Sequence, residues 1–175
     1  MWTKQIIDRF HAGSTSYIKT QFIDRRVKID CADLALEYLL DFCRGERLPI
    51  RLRYYSNGGW RTHVVDATVP DFEAAKREVK RNFGALNVID NTFAIDLAQA
   101  KPGDLIMSKW SGTQGHTRII DSVGSGSTPH NRPVTFYQGN LPPVVPIKKT
   151  QAFGAIDFGK LTDKRPRRWS FAKPQ

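Results

Sequence analysis

Cysteine is scarce in this chain: 175 residues hold two, Cys31 and Cys43. On a common helix they lie about 18 Å apart, beyond the reach of a disulfide, so no bridge between them is expected. Two cysteines are also too few for a thiolate zinc site without histidine help. His11, His63, His116 and His130 show neither ligand spacing nor an H-E-x-x-H run, so no metal and no other cofactor is expected. Long apolar runs are missing too, which excludes a membrane-spanning helix by hydropathy. Asp8 and Arg9 fall where the apolar centre of a secretory leader would lie, so neither stable membrane insertion nor Sec-type export is expected. There is no internal repeat and no low-complexity block. Acidic residues are in deficit, 17 Asp and Glu against 27 Lys and Arg, for a net charge of +10. That balance favours an acidic partner: nucleic acid, an anionic membrane surface or an anionic wall polymer.

What is present is an ordinary globular composition, 40% hydrophobic and 25% charged, long enough for one domain over residues 1–175 with a basic tail from about 160. The strongest periodic segment is 31–44. Cys31, Leu34, Ala35, Tyr38 and Phe42 repeat at helical spacing, and Leu36, Leu39, Leu40 and Cys43 widen the apolar face nearly all round. Asp33, Glu37, Asp41 and Arg44 are left as a polar stripe, so the helix is central and mostly buried. Asp30 is its N-cap, Asp33 resembles a capping-box partner, and Gly45 suits the end. A short helix over 2–11 precedes it, with 13–29 read as loop around a short helical turn. After it come a strand at Leu48–Leu52, a turn at Ser56–Gly59, a returning strand over Trp60–Val69, a helix from Asp71 to Phe83, and a shorter helix near Thr92–Ala100. Past the break Lys101-Pro102-Gly103-Asp104 the pattern predicts strands at Leu105–Lys109, His116–Val123, Val134–Gln138 and Ala152–Phe158. Helices first and a meandering sheet after them make the class α+β.

Cys31 follows an N-cap and opens the buried helix. Free N–H groups and partial positive charge at that end favour thiolate, which predicts a lowered thiol pKa, a nucleophile for amides and an oxyanion site at its own amide. Cys43, at the far end, is a small buried hydrophobe. His116 opens a strand after Gly115 and can exchange a proton with the thiol. Gln138 and Asn140, two apart at the end of the next strand, can each accept the imidazole N–H. Asp121 is a weaker rival, because alternation turns it away from His116. His11 and His130 read as surface residues.

Three short segments resemble the NlpC/P60 and CHAP cysteine amidases. Asp30-Cys31-Ala32-Asp33-Leu34 is similar to their Asp-Cys-Ser-Gly-Leu start, with Ala32-Asp33 in place of Ser-Gly. Lys101-Pro102-Gly103-Asp104-Leu105-Ile106 resembles the strand before their catalytic histidine, and Gly115-His116-Thr117-Arg118-Ile119-Ile120 resembles the histidine strand itself. Gln138-Gly139-Asn140 resembles the Glu-x-Asn strand end of CHAP amidases. The order of the segments is the family order, with a hairpin and a helix inserted between Cys31 and His116.

The resemblance implies a papain-like fold, its central helix packed on an antiparallel sheet, and hydrolysis of an amide in the peptide stems of peptidoglycan. Cys31 would be nucleophile, His116 base, and Asn140 or Gln138 its orienting group. Asp30 and Tyr17 would stand near the nucleophile. More loosely, a basic enzyme without a leader resembles amidase effectors delivered by type VI secretion into a rival's periplasm, which implies a cognate immunity protein. Relatives of the fold also work as acyltransferases or protein deamidases. A reading of another class is a nucleic-acid module using Lys164-Arg165-Pro166-Arg167-Arg168-Trp169, although no recognised nucleic-acid motif accompanies it.

Overall fold

The computed structural model describes residues 2–66 and 69–170. Four helices, α1 (Lys4–Ile18), α2 (Cys31–Gly45), α3 (Phe72–Asn82) and α4 (Ala85–Asp90), are combined with β1 (Ile50–Ser56), β2 (Gly59–Val65), β3 (Thr92–Ala94), β4 (Leu105–Lys109), β5 (Gly115–Val123), β6 (Pro133–Gln138), β7 (Ile147–Ala152) and β8 (Arg167–Trp169). β1 and β2 form a separate two-stranded hairpin, and the other six make one antiparallel sheet in the order β3-β8-β4-β5-β6-β7. The class is therefore α+β.

Alternation along the strands splits the core in two. Leu105, Met107, Ile119 and Tyr137 join the helices in the larger cluster. Ile106, Ile120, Val134 and Phe136 turn to the other face, under Leu97, Ile156 and Phe158. α2 is the centre of the first cluster. Asp30 caps it by accepting the Asp33 amide at 2.7 Å, and Leu34, Leu36, Leu39 and Leu40 are fully enclosed.

The polar stripe of α2 is not a solvent face. Asp33, Glu37 and Asp41, spaced four apart, would repel one another on one side of a helix. α3 lays Lys76 and Lys80 across them. Lys76 Nζ stands 2.6 Å from Glu37 and 2.9 Å from Asp41, and Lys80 pairs with Glu37 as well. Burial works to lower the Lys76 pKa, but Glu37 and Asp41 outweigh it and hold it above its ordinary value. Asp33 is pushed up to about 6 by burial first and by the neighbouring Asp30 next.

Several expected boundaries move. α1 runs to Ile18 and continues as a π-helical turn at Lys19–Ile23, where a loop was expected. Gly13, Ser14, Thr15 and Ser16 are weak helix formers, but Ser14 is buried and Gly13 admits the Tyr38 hydroxyl, which donates to the Phe10 carbonyl. The helix expected near Thr92–Ala100 lies earlier, at Ala85–Asp90; Thr92–Ala94 is a strand, followed by a 3-10 turn at Leu97–Gln99. The reason is long-range: Thr92–Ala94 pairs with Arg167–Trp169. The strand expected at Ala152–Phe158 runs instead from Ile147 to Ala152, with a 3-10 turn at Phe153–Ala155. The first hairpin strand begins at Ile50, around a turn whose Asn57 and Gly58 both have positive φ, 50° and 77°, as a two-residue hairpin requires. The end expected for the returning strand includes positions 67–68, outside the described residues.

The basic tail is also part of the fold. β8 is an inner strand, Trp169 is 2% exposed, and the Arg168 guanidinium clamps Asp104 through two bonds of 2.8 and 2.7 Å. Asp104 in turn accepts the Lys101 amide at 2.8 Å, which fixes the Pro-Gly-Asp turn before β4. Of the Lys164–Trp169 run, Arg167–Trp169 is committed to the sheet while Lys164 and Arg165 stay exposed; residues 171–175 lie outside the described residues. Among the described residues no helix is long and apolar enough to cross a membrane.

The ion cluster between α2 and α3 carries a stability prediction. Lys76→Ala leaves Glu37 with Lys80 alone and Asp41 without its lysine, so urea denaturation should show a loss of about 2 kcal/mol or more. A loss below about 1 kcal/mol would mean that the pairs are solvated surface contacts.

Candidate active site

The start of α2 is pinned by backbone. Ile29 bridges to Val144, its amide donating at 2.9 Å, and the Asn140 amide donates to the Ile29 carbonyl at 3.4 Å. Between β6 and this bridge, Gly139 crosses so close that a Cβ there would overlap the carbonyl oxygens of Ile29 and Asp30. Only glycine allows that crossing, and it brings the end of β6 against the residue before Cys31.

Cys31 is 9% exposed. The backbone amide of Thr117, the residue after His116 on β5, is near enough to the Cys31 sulfur to favour the thiolate. The thiol and the imidazole also line one cavity of about 400 Å³, together with Asp30 and Asn140 and with Trp110 and Leu141. The structure thus brings Cys31, His116, Asp30 and Asn140 together.

His116 is 6% exposed. Its Nε2 lies 3.2 Å from Gln138 Oε1. A carbonyl oxygen can only accept, so Nε2 carries the proton and Nδ1 keeps its lone pair. Of the two amides that the sequence left open, Gln138 is the one bonded to the ring, while Asn140 is exposed on the cavity wall. Asp121 is engaged elsewhere, by Thr15 at 2.6 Å and Lys148 at 2.9 Å.

Two expectations need correction. Tyr17 is not beside Cys31: its hydroxyl donates to Asp41, ten residues along α2 from Cys31 and so about 15 Å away along the helix axis. His11 is not a surface residue; it is 3% exposed, with Nδ1 2.8 Å from the Pro102 carbonyl. Its neighbour on α1, Phe10, packs on Gly103, so this end of α1 is seated on the Pro-Gly-Asp turn. His130 is exposed, as expected.

The electrostatics also reverse an expectation. The Cys31 thiol is pushed up from its ordinary value, not down. Burial is the main cause, and the Asp30 carboxylate adds to it. The amides of Thr117, Ala32 and Cys31 pull the other way and do not prevail. The N-cap carboxylate itself offsets the positive end of the helix that was expected to favour thiolate. The imidazole is held below its ordinary value by burial first and by Arg118 next, with Gln138 opposing. Both shifts favour neutral thiol and neutral imidazole in the resting pair.

Three residues that sequence reasoning missed act on the ring, directly or through a neighbour. Trp110 stacks on it, 6.0 Å between centroids and 20° between planes. The Trp110 indole N–H donates to Asp157 at 2.7 Å, and Asp157 also accepts the Gly159 amide at 2.7 Å. Arg118, two residues along β5 and 9% exposed, donates to Ser108 at 2.8 Å and lies over the Phe136 ring. A partial signal for Trp110 existed: a short loop joining antiparallel strands at Lys109 and Gly115 brings it near His116. Nothing local points to Asp157.

No protein-family model, no curated protein and no solved structure matches this chain. The functional reading accordingly rests on the site's own chemistry. Among the described residues no three His, Cys, Asp or Glu side chains gather as a metal site.

The neutral resting pair predicts a particular reactivity. Alkylation of Cys31 by iodoacetamide should climb about tenfold per pH unit between pH 7 and 9, tracking thiolate, and Cys43, buried and pushed up further, should react more slowly. A reactivity plateau already reached below pH 7, read by mass spectrometry of labelled peptides, would instead show a preformed thiolate–imidazolium pair.

Proposed function

We propose that the protein is a cysteine amidase, papain-like in the arrangement of its helix and sheet, that hydrolyses an amide in the peptide stems of peptidoglycan. The observation that carries this reading is a single cavity holding a thiol at the start of a buried helix and an imidazole whose tautomer is set by Gln138. The positive net charge suits an anionic wall polymer.

In the proposed reaction His116 Nδ1 takes the thiol proton as the Cys31 sulfur attacks the substrate carbonyl. Because both groups rest neutral, the proton moves as the bond to carbon forms, and the imidazole acts as general base. The carbonyl oxygen gains negative charge and would be met by the Cys31 amide at the helix start, where no intrahelical acceptor competes. Collapse expels the amine, which takes its proton from the imidazolium. Water then attacks the thioester, His116 accepting a proton from it and returning one to the sulfur. Gln138 keeps Nε2–H oriented throughout, and Trp110 covers one face of the ring and keeps it dry.

Purified peptidoglycan fragments, incubated with the protein and followed by mass spectrometry, test the reading. The native chain should release products bearing a new amine and a new carboxylate. Cys31→Ala and His116→Ala should each lower kcat/KM by ~10³-fold or more, and Cys43→Ala should leave it unchanged. The pH profile follows from the shifts. His116 must be neutral and its pKa lies below 6.5, so activity should rise with pH through a midpoint below 6.5. It should then stay level through pH 8, because burial and Asp30 hold the thiol pKa above its ordinary value. Unaltered turnover by Cys31→Ala would end the assignment.

A further inference from the structure

The cavity at Cys31 has a neighbour. Gly84, Ala85 and Thr113 line both it and a second cavity of about 610 Å³. The far wall of the second is the β1–β2 hairpin, where Tyr55 and Trp60 stand opposite each other in the register, 58% and 52% exposed, with their rings edge to face at 5.6 Å. Of the seven large hydrophobic side chains exposed among the described residues, four (Tyr55, Trp60, Trp110 and Leu141) border these two cavities. Such clustering marks a contact surface rather than scattered exposure.

The wall is fixed in place. The buried Asn91 accepts the Arg53 amide at 2.8 Å and donates to the Arg53 carbonyl at 2.7 Å. That double bond occupies the edge of β1 at Arg53, so an added peptide strand finds no open partner there. The Arg53 guanidinium in turn lies 4.8 Å over Trp60 and holds the indole.

We infer that the second cavity is a subsite for a sugar ring of the substrate, joined to the amide-bearing part that reaches Cys31. This rests on the amidase reading above and narrows it: the scissile amide lies next to the glycan, not far out on the peptide. Aromatic rings suit the C–H face of a pyranose. Asn87 and Asp90 offer an amide and a carboxylate to hydroxyl and acetamido groups, and Leu86 and Ile89 complete an apolar floor. Lys109 faces the same space as Asp90. Arg53 and Arg167 also act on Asp90, so cations and a carboxylate together face the rings, an arrangement that can hydrogen-bond a neutral, hydroxyl-rich ring.

The test is titration of the full chain carrying Cys31→Ala with tri-N-acetylchitotriose, followed by tryptophan fluorescence and calorimetry. Saturable binding is expected, weakened about tenfold or more by Tyr55→Ala and by Trp60→Ala, with circular dichroism confirming that both exposed-site variants fold. Absence of saturable binding overturns the subsite, as does binding indifferent to both substitutions. Saturable binding of penta-glutamate or of oligothymidylate at the hairpin, in place of the sugar, overturns it in favour of an acidic peptide or a nucleic acid. Hydrolysis by the native chain is scored separately. Sugar binding without hydrolysis removes the amidase reading alone, and hydrolysis without sugar binding removes the subsite alone.

Discussion

One backbone contact governs the site: Gly139 against the carbonyls of Ile29 and Asp30. Because no side chain intervenes, β6 ends directly beside the residue that caps α2. Gln138, just before the glycine, is bonded to His116, and Asn140, just after it, lines the wall of the cavity. The Ile29–Val144 bridge closes the same crossing from the other side. Any larger residue at 139 would have to push the helix start off the sheet, so the thiol's place relative to the imidazole depends on an atom that is missing. Rigidity of this kind is what a reaction needing alignment within fractions of an ångström demands.

The charges around that crossing have a consistent logic. Asp30 starts the helix and, by its own negative charge, opposes a thiolate on the next residue. Burial acts in the same direction on the sulfur and in the opposite one on the ring. Arg118, buried behind His116, keeps the imidazole from charging. In the proposed reaction, charge separation is thus deferred until a substrate carbonyl is present to share it. A thiol held in this state is a poor target for oxidants, whose reactivity follows thiolate. Trp110, tied to Asp157, shields one face of the ring from water and so helps to keep it in the neutral form.

The pieces of the site that were legible in the sequence are those set by local pattern. Cys31 at the head of an apolar helix, His116 at the start of a strand and a polar pair at the end of the next follow from periodicity and turn signals. What was not legible depends on distant chain. Thr92–Ala94 reads as helix until Arg167–Trp169 pairs with it, and Arg168 reads as a tail charge until it meets Asp104. Tyr17 was placed by resemblance alone, whereas its hydroxyl follows the acidic stripe of α2. The thiol's direction of shift was misread because the helix terminus was weighed without the desolvation of a buried sulfur, the larger effect here.

The chain between Cys31 and His116 then takes on a definite part. α3 supplies two lysines, Lys76 and Lys80, that pair with the carboxylates four residues apart on α2; without them the central helix would carry a half-buried, self-repelling stripe. α4 follows immediately, and Asn91 at its end holds the hairpin by the Arg53 backbone. The electrostatic need of α2 therefore fixes α3, α3 leads into α4, and α4 sets the aromatic wall beside the cavity. Removing residues 50–90 would therefore do more than open the cavity at Cys31, because the segment that carries the aromatic wall also carries Lys76 and Lys80, the partners of the α2 carboxylates.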